Sequence, residues 1–125
     1  MSIDWFLTSG QREKRVAYRS AVDELIAPLA ETHDRDESIC RSTIARMRQV
    51  GLWGAEIATE FGGEGVDWVT YGLLSEEVGR ACASVRNLLG VQAMVSTVIH
   101  TFGTAEQKRQ WLPRLASGNC IATNK

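Results

Sequence analysis

From Val85 to Thr101 the chain carries an apolar stretch patterned at helical spacing. Leu88, Val91, Val95, Val98 and Phe102 form one stripe, and Leu89, Met94 and Ile99 widen it. A helix that is apolar on most of its sides must be wrapped by other elements, so this segment is predicted to be the central helix of its domain. It does not read as a membrane span, because Asn87, Gln92, Ser96 and Thr97 interrupt it well short of the ~18 apolar residues a span needs. Gly103 ends it.

The same periodicity runs through most of the rest. Tyr18, Val22, Leu25, Ile26 and Leu29 lie on one helical face. Thr8 and Gln11 have capping-box spacing at its start, and Pro28 ends or kinks it near Ala27. The charged stretch Glu31–Glu37 reads as an exposed connection. A second helix is predicted through Ile39 or Cys40, Ile44, Met47 and Val50, with Gly51 as a left-handed cap. Leu52–Ile57 is apolar but too short to assign. A third helix runs from about Trp68 to Cys82 with Leu73, Leu74 and Val78 inward. After the apolar helix, Thr104 and Gln107 form another capping-box spacing, Pro113 is predicted to interrupt the helix that follows, and Gly118 to end it. Asn119–Thr123 has the composition of a strand start but is too short to decide. The prediction is an all-α bundle of about five helices, orthogonal or up-down, spanning residues 1–118, with 119–125 outside it.

Composition narrows the function. The 125 residues include 14 basic and 15 acidic side chains, for a net charge of −1. The basic cluster Arg12, Lys14, Arg15 and Arg19 is diluted by Glu13, Asp23 and Glu24. There is no electrostatic case for nucleic acid or an anionic membrane. Cys40, Cys82 and Cys120 are widely spaced, without a CxxC, so they form neither a disulfide framework nor a zinc site. The opening MSIDWFLTSGQREKR lacks the basic-then-apolar layout of a secretory signal, and a cytoplasmic location is the expectation.

Individual motifs carry little chemistry. Gly62-Gly63-Glu64-Gly65 is too short for a dinucleotide fingerprint, lacks a phosphate-loop lysine and follows no predicted strand, so it reads as a tight turn. His33 falls in the charged connection. His100 falls near a helix C-terminus, where an imidazole suits the dipole. Neither has a metal-ligand partner at the right spacing. Glu76 and Glu77 diverge by about 100° on a helix and cannot form a catalytic dyad, whereas Glu76 can pair with Arg80. Cys82 is expected to be buried, without a basic neighbour and inert. Trp5, Trp53, Trp68 and Trp111 read as packing anchors. Helix-lined apolar volume remains, which suits an acyl chain and also describes any ordinary core.

Three segments in order and spacing add more. They are Gly51-Leu52-Trp53-Gly54 with Glu60-Phe61-Gly62-Gly63-Glu64-Gly65-Val66-Asp67, then Leu74 to Val85 (LSEEVGRACASV), then Phe102 to Gly118 (FGTAEQKRQWLPRLASG). Leu7-Thr8 and Gln11-Arg12 fit as well. Together they resemble the N-terminal domain of acyl-CoA dehydrogenases over nearly the whole chain. One departure is Ala58, where the family usually has proline.

The resemblance implies an N-terminal α domain, a β middle domain and a C-terminal α bundle, assembled as dimers or tetramers that bind FAD. Such enzymes oxidise the Cα–Cβ bond of an acyl thioester, carried on CoA or on an acyl-carrier protein. A glutamate takes the α-proton and flavin N5 takes the β-hydrogen as hydride. That glutamate belongs to the C-terminal bundle, residues 119–125 are the start of the β middle domain, and the flavin-contacting strand begins just past Thr123. Residue by residue, the match implies only one wall of the acyl pocket here: Asn87, Gly90, Val91 and Met94, on one face of the apolar helix. Gly90 leaves room and Met94 is an adaptable plug. Arg86 is either near the pocket mouth or a solvated surface residue. The chain is therefore expected to bind no cofactor by itself and not to catalyse alone. Other readings are a stand-alone helical module that binds without turnover, or part of an acyl-CoA oxidase or flavin monooxygenase on the same scaffold.

Overall fold

The computed structural model describes residues 2–122. They form six α-helices: α1 Ser9–Leu25, α2 Ala30–Arg35, α3 Arg41–Gln49, α4 Trp68–Ala81, α5 Ala83–Phe102 and α6 Ala105–Ala116. Among the described residues there is no strand. The five longer helices are those expected, and α2 is a short addition in the stretch predicted to be a connection. α1 packs on α4, α4 on α5 and α5 on α6, which makes α5 the hub between two core clusters. The larger cluster joins Tyr18 and Val22 of α1, and Ile26 just after it, to Met47, Trp53, Leu74, Val78, Val85 and Leu89. The smaller joins Ile57 to Leu112, Leu115 and Ala116.

Local chemistry sets the helix ends. Both capping boxes form in full. Gln11 N–H donates to Thr8 Oγ1 at 3.2 Å and Thr8 N–H to Gln11 Oε1 at 3.0 Å. The Thr104–Gln107 pair repeats this at 3.2 and 2.9 Å. A cap of this kind is worth about 1 kcal/mol. Pro28 lies in a 3-10 turn, Ala27–Leu29, that closes α1. Gly51 adopts φ 74° after α3, as expected of a left-handed cap.

The glycine turn is a tight turn, as predicted. Its backbone doubles back on Leu52–Ile57, so that a Cβ at Gly63 would lie 2.0 Å from the Ile57 carbonyl oxygen. Only a residue without a side chain fits there.

Several expectations are corrected. Glu31–Glu37 is not simply exposed, because α2 turns His33 inward to 2% exposure. Pro113 does not interrupt α6, which continues to Ala116. It lies late in the helix on an exposed side, where losing one backbone donor costs least. Only Trp53 is a buried anchor, and its indole N–H donates to the Ile44 carbonyl at 3.1 Å. Trp5, Trp68 and Trp111 are exposed. The α5 stripe is not one buried face. Val85, Leu89, Val91, Gln92, Ala93 and Ser96 are buried, whereas Val98 and Phe102 are exposed, Phe102 at 81%. Asn119–Ala122 forms no strand, and Thr123 lies outside the described residues.

Candidate functional site

The faces of α5 not used for packing carry the candidate site. Asn87 and Val91 come together in the largest cleft, about 550 Å³, with Ser84 and Leu88 on the same helix and His33, Asp34 and Ile39 facing them. Met94 lies elsewhere, in a shallow groove with Trp68, Ala93, Thr97 and Val98. Gly90 stands between these two on the helix, and a Cβ added there meets nothing within 4 Å. The four residues thus share a helical face, but only two share a cavity. Arg86 lines neither cleft and lies over Gly79 of α4, whose added Cβ would be 3.4 Å from Arg86 Cγ. A further apolar groove of about 490 Å³ runs between α5 and α6, past Val98, Phe102, Trp111 and Leu115.

Behind the main cleft lies a buried polar row. His33 Nε2 is 3.0 Å from Thr43 Oγ1, and His33 Nδ1 is 3.8 Å from Cys82 Sγ. Cys82 is buried as expected, yet it does have an imidazole neighbour, which corrects its reading as isolated. Both ring nitrogens of His33 face partners within the fold, so the imidazole is held as part of the cleft wall.

The acidic pair on α4 also differs from expectation. Glu77, not Glu76, meets Arg80, with Arg80 Nε donating to its carboxylate at 3.0 Å. Glu77 is 1% exposed and also accepts from Arg19 at 2.9 Å. Burial pushes its carboxyl up, but the hydrogen bonds from Arg19 and Arg80 overcome that and hold it below its ordinary value. This network ties α1 to α4 and faces no substrate cleft. Glu56 is half-buried, and no motif in the sequence marks it. It accepts from the Ser96 hydroxyl at 2.7 Å, and burial raises its pKa.

The glycine turn has no free amides for a phosphate. Gly62, Gly63, Glu64 and Gly65 N–H donate to the carbonyls of Thr59, Ala58, Gly54 and Ile57. The turn therefore offers no cradle for a phosphate.

The region matching "Acyl-CoA dehydrogenase, N-terminal domain" runs over residues 8–119. The chain belongs to the acyl-CoA dehydrogenase family. Among its relatives, the probable acyl-CoA dehydrogenase YngJ of Bacillus subtilis is 37% identical over 120 residues, covering 94% of this chain and 31% of the relative. A glutaryl-CoA dehydrogenase from Mycobacterium smegmatis superposes with TM-score 0.87 at 34% identity, covering 95% of this chain and 31% of that one. Another glutaryl-CoA dehydrogenase structure from the same organism, in complex with FADH2, gives TM-score 0.85 at 28% identity, covering 96% and 31%. This acyl-CoA dehydrogenase domain thus spans about a third of the length of these relatives.

Proposed function

We propose that the chain serves as the N-terminal helical domain of an FAD-dependent acyl-thioester dehydrogenase and supplies one wall of its acyl pocket through Asn87, Gly90, Val91 and Met94. The observation that carries this is the pairing of a family match over residues 8–119 with a cleft on α5 holding Asn87 and Val91. Space beside Gly90 and the half-exposed thioether of Met94 support the same face. The acyl group is carried on CoA or on an acyl-carrier protein. FAD and the catalytic base are held by other parts of the parent protein, in line with a glycine turn whose amides are all used internally. Three free thiols support a reducing, cytoplasmic setting. The bare Val98–Phe102 face supports burial against further domains or subunits in a homo-oligomer.

The test is acyl-CoA-dependent dye reduction by the product of the complete reading frame. Bleaching is the expected result, and its absence with every chain length removes the reading. The 125-residue chain supplied with FAD is expected to give no reduction.

A further inference from the structure

We infer that the segment 120–122, pinned by Gln92, is the stop that limits how long an acyl chain the main cleft accepts. The inference rests on the reading of that cleft as one wall of the acyl pocket. Two cavities follow one another along α5. The main cleft of about 550 Å³ takes Asn87 and Val91, and the groove of about 490 Å³ between α5 and α6 takes Val95 and Ile99. Val91 and Val95 are four residues apart and neighbours on the helix surface. Among the described residues, Ala122 alone lines both cavities.

The segment is held at that junction. Gln92 comes between Val91 and Val95 on α5 and is fully buried. Its Oε1 accepts the Ala122 N–H at 2.7 Å, and its Nε2 donates to the Cys120 carbonyl at 2.9 Å and the Leu115 carbonyl at 3.0 Å. Both amide hydrogens are thereby in use. The side chains of the segment are anchored to either side. Ile121 packs against the larger core cluster, whereas Cys120 and Ala122 pack against the smaller. Lifting the segment breaks its bonds to Gln92 and uncovers apolar surface at the same time. It also leaves a buried amide short of partners, which the burial of a few more methylene groups does not offset. Apolar space continues past the stop, where Val98, Phe102, Trp111 and Leu115 line the groove. The limit on length is therefore set by the segment, not by the end of the apolar surface.

The experiment is steady-state kinetics of the product of the complete reading frame over saturated acyl-CoA substrates, from butyryl-CoA upward. The unaltered protein is expected to show an upper limit of chain length. Gln92→Leu removes the pins. The ratio of kcat/KM for the first substrate past the limit to that for butyryl-CoA is expected to rise about tenfold, through KM. Adding Val98→Trp, which fills the groove beyond the stop, is expected to cancel that rise, and a general loosening of the fold does not predict such a cancellation. If Gln92→Leu does not fold, Ala122→Leu decides the matter. It keeps the pinned N–H, thickens the stop and is expected to lower the same ratio for the longest accepted substrate about tenfold. The absence of a limit, a limit that these variants leave in place, or a rise that survives Val98→Trp overturns the stop while leaving the acyl reading intact. No turnover of any acyl-CoA by the unaltered protein removes the acyl reading itself and the inference with it.

Discussion

The side chain of Gln92 holds Ala122 in place: its Oε1 accepts the Ala122 N–H at 2.7 Å, thirty positions along the chain. The same amide donates through Nε2 to the carbonyls of Leu115 at 3.0 Å and Cys120 at 2.9 Å. One fully buried glutamine on α5 thereby closes the end of α6 and fixes the path of the chain that leaves it. Replacing it with leucine strands the Cys120 carbonyl and the Ala122 N–H, whereas the Leu115 carbonyl keeps the Gly118 N–H at 3.1 Å. Gln92→Leu is expected to lose about 2–4 kcal/mol in urea unfolding. The Ala122 amide is expected to lose its hydrogen-exchange protection first. Unchanged protection at Ala122 with full stability would show that the amide does not clamp this segment.

Glu77 makes the fold acid-sensitive. Its carboxyl titrates below its ordinary value of 4.5 in the folded state, because Arg19 and Arg80 outweigh its burial. The stability it contributes is therefore fully present above 4.5 and is lost as the pH falls through the lower, folded value. Glu77→Gln is expected to cost about 1–3 kcal/mol near neutrality, below the figure for a fully buried pair because Arg19 and Arg80 remain about half exposed. The difference from the unaltered protein is expected to shrink on acidification. Thermal melts across a pH series read both effects, and a difference constant with pH would contradict them.

Glu56 acts in the opposite sense. Burial raises its carboxyl above 4.5, so the folded protein holds that proton more tightly than the unfolded chain does. Stability falls as the pH rises from 4.5 through the folded value and then levels off. Glu56→Gln, which cannot ionise, is expected to gain melting temperature relative to the unaltered protein over that interval and to match it below. A relative loss that grows with pH would mean the carboxylate is stabilised by a partner other than Ser96.

The residues that build this fold differ in how plainly they read from sequence. Thr8 and Gln11, or Thr104 and Gln107, act within four residues, so spacing alone conveys the cap. His33, Glu77 and Gln92 are polar residues whose burial no motif marks. Spacing carries the signal for two of them. Glu77 follows Leu73 by four and Leu74 by three, and Gln92 follows Leu89 by three and Val85 by seven, whereas His33 lies past the turn that ends α1 and has no such spacing. Glu77 and Gln92 continue a buried face, and all three are buried because their polar atoms find partners from distant parts of the chain. The clefts on α5 follow from how α4 and α6 stack on it and from α2 facing it across the main cleft. That is why helical spacing groups Asn87, Gly90, Val91 and Met94, whereas the structure puts Asn87 and Val91 in one cavity, Met94 in another and Gly90 in neither.

Gly90 separates folding from function more cleanly than any other position on α5. A Cβ there meets nothing within 4 Å, and glycine inside a helix costs about 0.5–1 kcal/mol relative to alanine. Gly90→Ala is therefore expected to stabilise the chain by about that amount. Gly90→Leu is expected to fold as well as the unaltered protein while projecting four carbons into the space beside Val91. If that space receives the acyl chain, the full-length protein bearing Gly90→Leu is expected to lose activity on long acyl-CoA substrates and keep it on short ones, with the loss in KM more than in kcat. Equal losses at every chain length, or none, would place the acyl group elsewhere, and the melting curve of the variant would show that misfolding is not the cause.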